Sequence, residues 1–288
     1  MNIKDDDIVE YKNSFDSSKL LFSIPNSTTS TLNSSFISNE SQSSLNNHIR
    51  TSKEIFLSYL NKLYHFKPPF SKINININNQ IKRKYNSIIF FDWDDTLLCS
   101  SFLSKIGLFD DEQTKKINLK LIKEQLSKLE NNVFKVLSIS IKYGDTFIIT
   151  NASEGWVESS AKKYLPNIIK LFNKVKIISA RTAYENQFPN DNKLWKLAVF
   201  RDIANFYNKN IVTNIISFGD SDIENDAAVK VSSLFEECFI KTIKLKEDPK
   251  IEDMIKQLDL ISKQFNYIHS ATRNIFLSVE KKGNGKKI

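Results

Sequence analysis

The chain has 288 residues, and its 41 Lys and Arg outnumber 33 Asp and Glu to give a net charge of +8. That length allows one large domain or two small ones, and 21 Phe within a 41% hydrophobic composition supply a sizeable core. No apolar run approaches the roughly 18 residues of a membrane-spanning helix, and the opening "MNIKDDDIVEYKNSF" lacks a signal-peptide layout.

Cys99 and Cys238 lie far apart and form no metal-ligand spacing. The expectation is a soluble protein of a reducing compartment, cytoplasmic or nuclear, with no membrane partner. The lysine excess is spread along the chain, with local clusters only at "KRK" (82–84) and "KKGNGKK" (281–287). Nucleic acid is therefore an available partner but not the favoured one.

Residues 1–50 are rich in Ser, Asn and Thr and bury too little apolar area to offset ordering entropy, which predicts a disordered tail. Residues 52–65 place Ile55, Phe56, Tyr59, Leu60 and Leu63 at helical spacing before Pro68 and Pro69. Residues 51–85 are thus expected as a helix and linker packing on the core. "INININNQI" (73–81) alternates at period two, as an edge strand or as compositional bias.

The rhythm changes from residue 88 onward. Short apolar runs recur at 87–92, 146–150, 175–180, 214–220 and 238–245, with helical patterns near 116–142, 155–173, 193–208, 223–234 and 250–267. Such alternation predicts a Rossmann-like three-layer α/β/α sandwich over 86–270, with a mainly parallel central sheet. Residues 271–288 are expected as a basic C-terminal tail.

Ligands of open parallel sheets bind beyond the carboxyl ends of the strands. The first run ends in Asp92-Trp93-Asp94-Asp95-Thr96, the second in Thr150-Asn151 and the fourth in Gly219-Asp220-Ser221. Lys193 and Lys196 lie near the start of the helix before the fourth strand. Three carboxylates packed into four positions raise one another's pKa unless a positive partner sits among them. A divalent cation such as Mg²⁺, with a lysine alongside, would be that partner, and the set suits a phosphate group.

"DWDDT" after a hydrophobic strand resembles the DxDxT signature of the haloacid dehalogenase superfamily of phosphohydrolases. "IITNAS" (148–153), "LWKLAVF" (194–200) and "SFGDSDIEND" (217–226) are similar to its second, third and fourth motifs, in the same order. The resemblance spans about residues 86 to 247. It implies Asp92 as nucleophile and Asp94 as general acid and base. It implies Thr150 and the backbone N–H of Asn151 as phosphoryl ligands, and Lys196 as the charge-neutralising ammonium, with Lys193 the alternative. Mg²⁺ would be held by Asp92, the backbone carbonyl of Asp94 and Asp220. Glu224 stands where many relatives carry Asp, and being longer it would orient the lysine or a water. Asp222 and Asp226 read as acids favoured at a helix start.

Neither insertion point for a cap, after the first motif or after the third strand, has room for a full domain. Residues 181–196 read as a loop, and 99–142 as at most a partial helical cover. By that analogy the site is open, and the substrate is a phosphoprotein or other bulky phosphate. A nucleic-acid-end or small-metabolite phosphatase is the alternative, as is a fold that binds without turnover. Trp93 reads as a packing residue, contact of Arg181 with an anionic substrate is the less favoured of its two readings, and His48, His65 and His269 fit no ligand spacing.

Overall fold

The computed structural model describes residues 86–108 and 119–279. The tail over 1–50, the helix and linker over 51–85, the "INININNQI" strand, His48, His65 and both basic clusters lie outside them.

The first strand, β1 (Asn86–Phe91), runs "NSIIFF", and Ile88 to Phe91 are all at most 1% exposed. A strand this continuously apolar must be covered on both faces. Ile89 and Phe91 point into one layer, while Phe90 points into the other, where its ring lies 4.0 Å from Phe200. Each such buried side chain contributes about 1.5–3 kcal/mol.

The remaining strands are β2 (Asp145–Thr150), β3 (Val175–Ser179), β4 (Val212–Gly219), β5 (Phe239–Lys244) and β6 (Ile275–Ser278). They form one six-stranded sheet in the order β3-β2-β1-β4-β5-β6, and every pairing is parallel. The expected three-layer fold is therefore present, with a sheet parallel throughout.

The helices are α1 (Ser100–Lys105), α2 (Leu119–Tyr143), α3 (Trp156–Tyr164), α4 (Ala180–Tyr184), α5 (Asn192–Asn205), α6 (Asp222–Ser232) and α7 (Ile251–Ser270). α2 buries Leu126, Leu129, Val133, Val136 and Leu137, a stripe at helical spacing that lies against α7. α7 answers with Met254, Leu258, Ile261 and Phe265, and the Phe265 ring meets Phe218 of β4 at 5.8 Å. α5 packs against α4 and α6 in the opposite layer.

Three local expectations change. The helix expected over 155–173 stops at Tyr164 and resumes as a 3-10 helix at Pro166–Leu171. Pro166 offers no N–H and forces Leu165 out of helical geometry, to φ −137°. The loop after β3 contains α4, whose N-cap Ser179 accepts from the Thr182 N–H at 3.0 Å. The segment expected as a tail from 271 starts with β6, which closes the sheet edge beside β5. Among the described residues neither insertion point carries a domain, and α2 belongs to the helical layer rather than to a cover.

β2 and β3 lie on one side of β1, and β4, β5 and β6 on the other. The chain reverses direction of winding between β1 and β4, which opens a crevice beyond their carboxyl ends. This strand order is shared with dinucleotide-binding folds, but the turn after β1 carries Asp-Trp-Asp-Asp-Thr where those need glycines.

Candidate active site

Asp92 follows β1 directly, and its N–H donates to the Phe218 carbonyl of β4 at 3.0 Å. The parallel ladder thus continues one residue past the strand and fixes the carboxylate at the crevice floor. Trp93 then turns inward, fully buried, and its indole N–H donates to Ser160 Oγ of α3 at 3.0 Å. It packs, as expected. The N–H groups of Leu97 and Leu98 return to the Trp93 carbonyl at 2.9 and 3.0 Å. Asp95 makes the turn at φ +55°, a conformation that Asp tolerates better than most side chains. Its Oδ1 accepts the Ser101 N–H at 3.0 Å, so this third acid holds the start of α1.

α5 starts at N-cap Asp191, which accepts the Leu194 N–H at 3.1 Å. Lys196, 2% exposed, sends its ammonium to Asp92 Oδ1 at 2.6 Å and to Glu224 Oε1. Lys193, one turn earlier, faces solvent. The pair shares a helix but only Lys196 is aimed at the strand ends.

Glu224 sits in the first turn of α6, and its other oxygen accepts the Ser221 hydroxyl at 2.6 Å. Ser221 also caps the helix by accepting the Ile223 N–H at 3.2 Å. Ser-x-x-Glu here reads as a capping box, yet the glutamate turns to the lysine. Asp222 pairs with Lys244 at the end of β5, at 3.0 Å, and Asp226 is exposed.

Burial raises the Asp92 carboxyl well above its ordinary value; Lys196 opposes this, while Glu224 and Asp220 add repulsion. Burial, with the nearby Glu224 and Asp95 charges, pushes Asp220 up to about 7. Burial works against the Lys196 ammonium, but Asp92 and Glu224 overcome it and hold the group well above the usual lysine range. Asp92, Asp220 and Glu224 thus share a single buried ammonium, an excess of negative charge that a bound cation would relieve.

Among the described residues no three His, Cys, Asp or Glu side chains form a ready metal cage. An ion at this place would draw on two carboxylates, Asp92 and Asp220, on the Asp94 backbone carbonyl and on water. Mg²⁺, which keeps several waters and takes one or two carboxylates, fits such a donor set.

Across the crevice, Thr150 ends β2 and is 1% exposed. Its Oγ1 accepts the Ala152 N–H at 2.9 Å and donates to Asp94 Oδ2 at 3.1 Å. The other oxygen of Asp94 accepts the Trp156 indole N–H at 2.9 Å. Asn151 reaches the Asn192 carbonyl of α5 at 3.4 Å, while its Oδ1 is buried without a partner.

The residues expected from sequence divide into two neighbouring groups, Asp92, Lys196 and Asp220 on the β1–β4 side and Asp94 and Thr150 on the β1–β2 side. Arg181 is not part of either: it is exposed and pairs with Glu185 of its own turn at 3.0 Å. His269 lies at the far end of the sheet, 3.0 Å from Ser87 Oγ. Sequence reasoning missed Trp156, and nothing in the pattern over 155–173 signals that its indole would touch Asp94.

Comparison of the chain with protein-family models, curated proteins and solved structures gives no match. The functional reading therefore rests on the residues and their geometry.

Proposed function

We propose that this chain is a haloacid-dehalogenase-like, Mg²⁺-dependent phosphomonoesterase that works through an aspartyl-phosphate. The observation that carries the reading is Lys196, a buried ammonium placed against one oxygen of Asp92 and backed by Glu224. A lysine so deeply desolvated is costly unless its charge is needed where it sits.

In this reading the Asp92 carboxylate attacks phosphorus while Lys196 offsets charge on the nucleophile and on the phosphoryl oxygens. Thr150 donates its hydroxyl proton to a phosphoryl oxygen, and the Asn151 N–H supports the same group. Asp94 gives a proton to the leaving oxygen as the P–O bond breaks. It then takes a proton from the water that attacks the aspartyl-phosphate, which restores Asp92 as a carboxylate and Asp94 as an acid. Mg²⁺ would supply further neutralisation of the nucleophile and the transferring group, held by Asp92, Asp220 and the Asp94 carbonyl. The lack of a cap among the described residues favours a phosphoprotein or other bulky phosphate over a small metabolite.

The test is hydrolysis of an aryl phosphate and of phosphopeptides, with and without Mg²⁺, by the wild type and by Asp92→Asn and Asp94→Asn. Mg²⁺-dependent turnover lost in both variants is the expected result. A folded protein that binds beryllofluoride but turns nothing over between pH 5 and 8 would replace the enzyme reading with a binding one.

A further inference from the structure

We infer that Trp156 is a positioning residue for Asp94: its indole N–H holds one carboxylate oxygen while the other passes from Thr150 to the leaving group. This deepens the phosphatase reading and rests on it.

Asp94 lies beyond the end of β1, in a loop, and is only partly buried. The backbone alone does not fix the direction of its carboxylate. Two tryptophans tie that loop to α3 in opposite senses. Trp93, from the loop, donates to Ser160 of α3 at 3.0 Å, and Trp156, from α3, donates back to Asp94 at 2.9 Å. The two ties are joined, because the Ser160 hydroxyl donates to the Trp156 carbonyl at 2.6 Å. Gly155, at φ +83°, is the N-cap of α3 and lets the chain turn so that Trp156 opens the helix.

The second oxygen of Asp94 is differently placed. Thr150 Oγ1 already accepts the Ala152 N–H, so its own proton is free to choose an acceptor, and here it goes to Asp94 Oδ2. A phosphoryl oxygen bound at the end of β2 competes for that same proton. Once it wins, Oδ2 is released and only the indole still holds Asp94. A carboxyl group held at one oxygen by a packed ring keeps a narrow range of orientations, which is what proton transfer in line with a breaking bond requires. An indole N–H suits this task because it donates only and never competes for the proton being moved.

Trp156→Phe keeps most of the aromatic packing and removes the donor. Its kcat/KM, which reports steps up to leaving-group departure, is measured against a nitrophenyl phosphate and an alkyl phosphate. A nitrophenolate leaves with little help, whereas an alkoxide needs the proton. The expected fall is about 100-fold for the alkyl ester and under about tenfold for the nitrophenyl ester, within the range that general acid catalysis contributes. The nitrophenyl ester should also show a pre-steady-state burst, since water attack on the aspartyl-phosphate needs the same carboxylate. Equal losses on both esters, with the melting temperature unchanged, would overturn the inference.

A second measurement needs no turnover. The Trp156 indole ¹H–¹⁵N cross-peak, assigned by its loss in Trp156→Phe, should move in Asp94→Ala; an unmoved peak removes the tether. If the wild type hydrolyses neither ester, the phosphatase reading fails by itself and the cross-peak alone decides whether Trp156 holds Asp94.

Discussion

Gly219 lies so close to Glu224 that a Cβ on the glycine would stand 2.6 Å from the Glu224 carboxylate oxygen and from its Cγ. The glutamate has no room to yield, being buried and held by Lys196 and Ser221. Gly219→Ala should therefore push Glu224 off the lysine and cost about 1–3 kcal/mol, as overpacking does. Urea unfolding would measure the loss, and the proposed phosphatase activity should fall with it. A variant as stable and active as the wild type would show that α6 can shift freely.

Lys196→Ala leaves Asp92 and Glu224 buried without their shared cation. Removing one partner of a buried pair costs about 3–5 kcal/mol, so a large drop in the urea midpoint is expected at neutral pH. Lowering the pH toward 5 should recover part of it, because burial already favours the protonated form of Asp92. An equal deficit at both pH values would count against uncompensated charge as the cause.

Asp220→Asn separates the cost of crowding from the proposed binding of a metal. Without Mg²⁺ the variant should melt higher than the wild type, since Asp220 is pressed by burial and by the Glu224 and Asp95 charges. With Mg²⁺ at about ten times its dissociation constant, the wild type should gain about 1.4 kcal/mol and the variant much less. Thermal melts over a Mg²⁺ series would check both, and a variant that gains as much as the wild type would remove Asp220 from the donor set.

Away from the site, burial pushes the Asp202 carboxyl on α5 up to about 7. Its polar partners are the Tyr184 hydroxyl and Arg201, the latter at 3.3 Å. The unfolded carboxyl titrates at about 3.9. Between those values the folded chain holds a proton that the unfolded chain has lost, so this group's contribution to stability falls as pH rises from about 4 to about 7. Asp202→Asn should flatten that slope and raise the urea midpoint above pH 7. Parallel curves for variant and wild type would refute the assignment.

Much of the fold was legible because burial on both faces leaves a plain mark. "SIIFF" and "TFIIT" can hardly be anything but covered strands, and Gly219 closes the fourth run where β4 ends. The split of 155–173 could also have been read from Pro166, whereas β6 was obscured because its apolar "IFLSV" lies next to a lysine-rich end. In the site, the sequence was enough to place Asp92 and Asp94 just beyond the first strand, but it left Lys193 and Lys196 as rivals. Only the packing of α5 separated them: Lys196 is buried against Asp92 and Glu224, while Lys193 is exposed.

The sequence by itself determined which strands are buried and which polar residues end them, because hydrophobic periodicity and strand-end chemistry are local properties. Only the tertiary structure decided that Glu224 reaches Lys196 with one oxygen while the other stays on Ser221, and that the Trp156 indole reaches Asp94. Those partners are 28 and 62 residues apart along the chain. Contacts of that separation depend on how layers pack across the sheet, and no pattern within one segment encodes them.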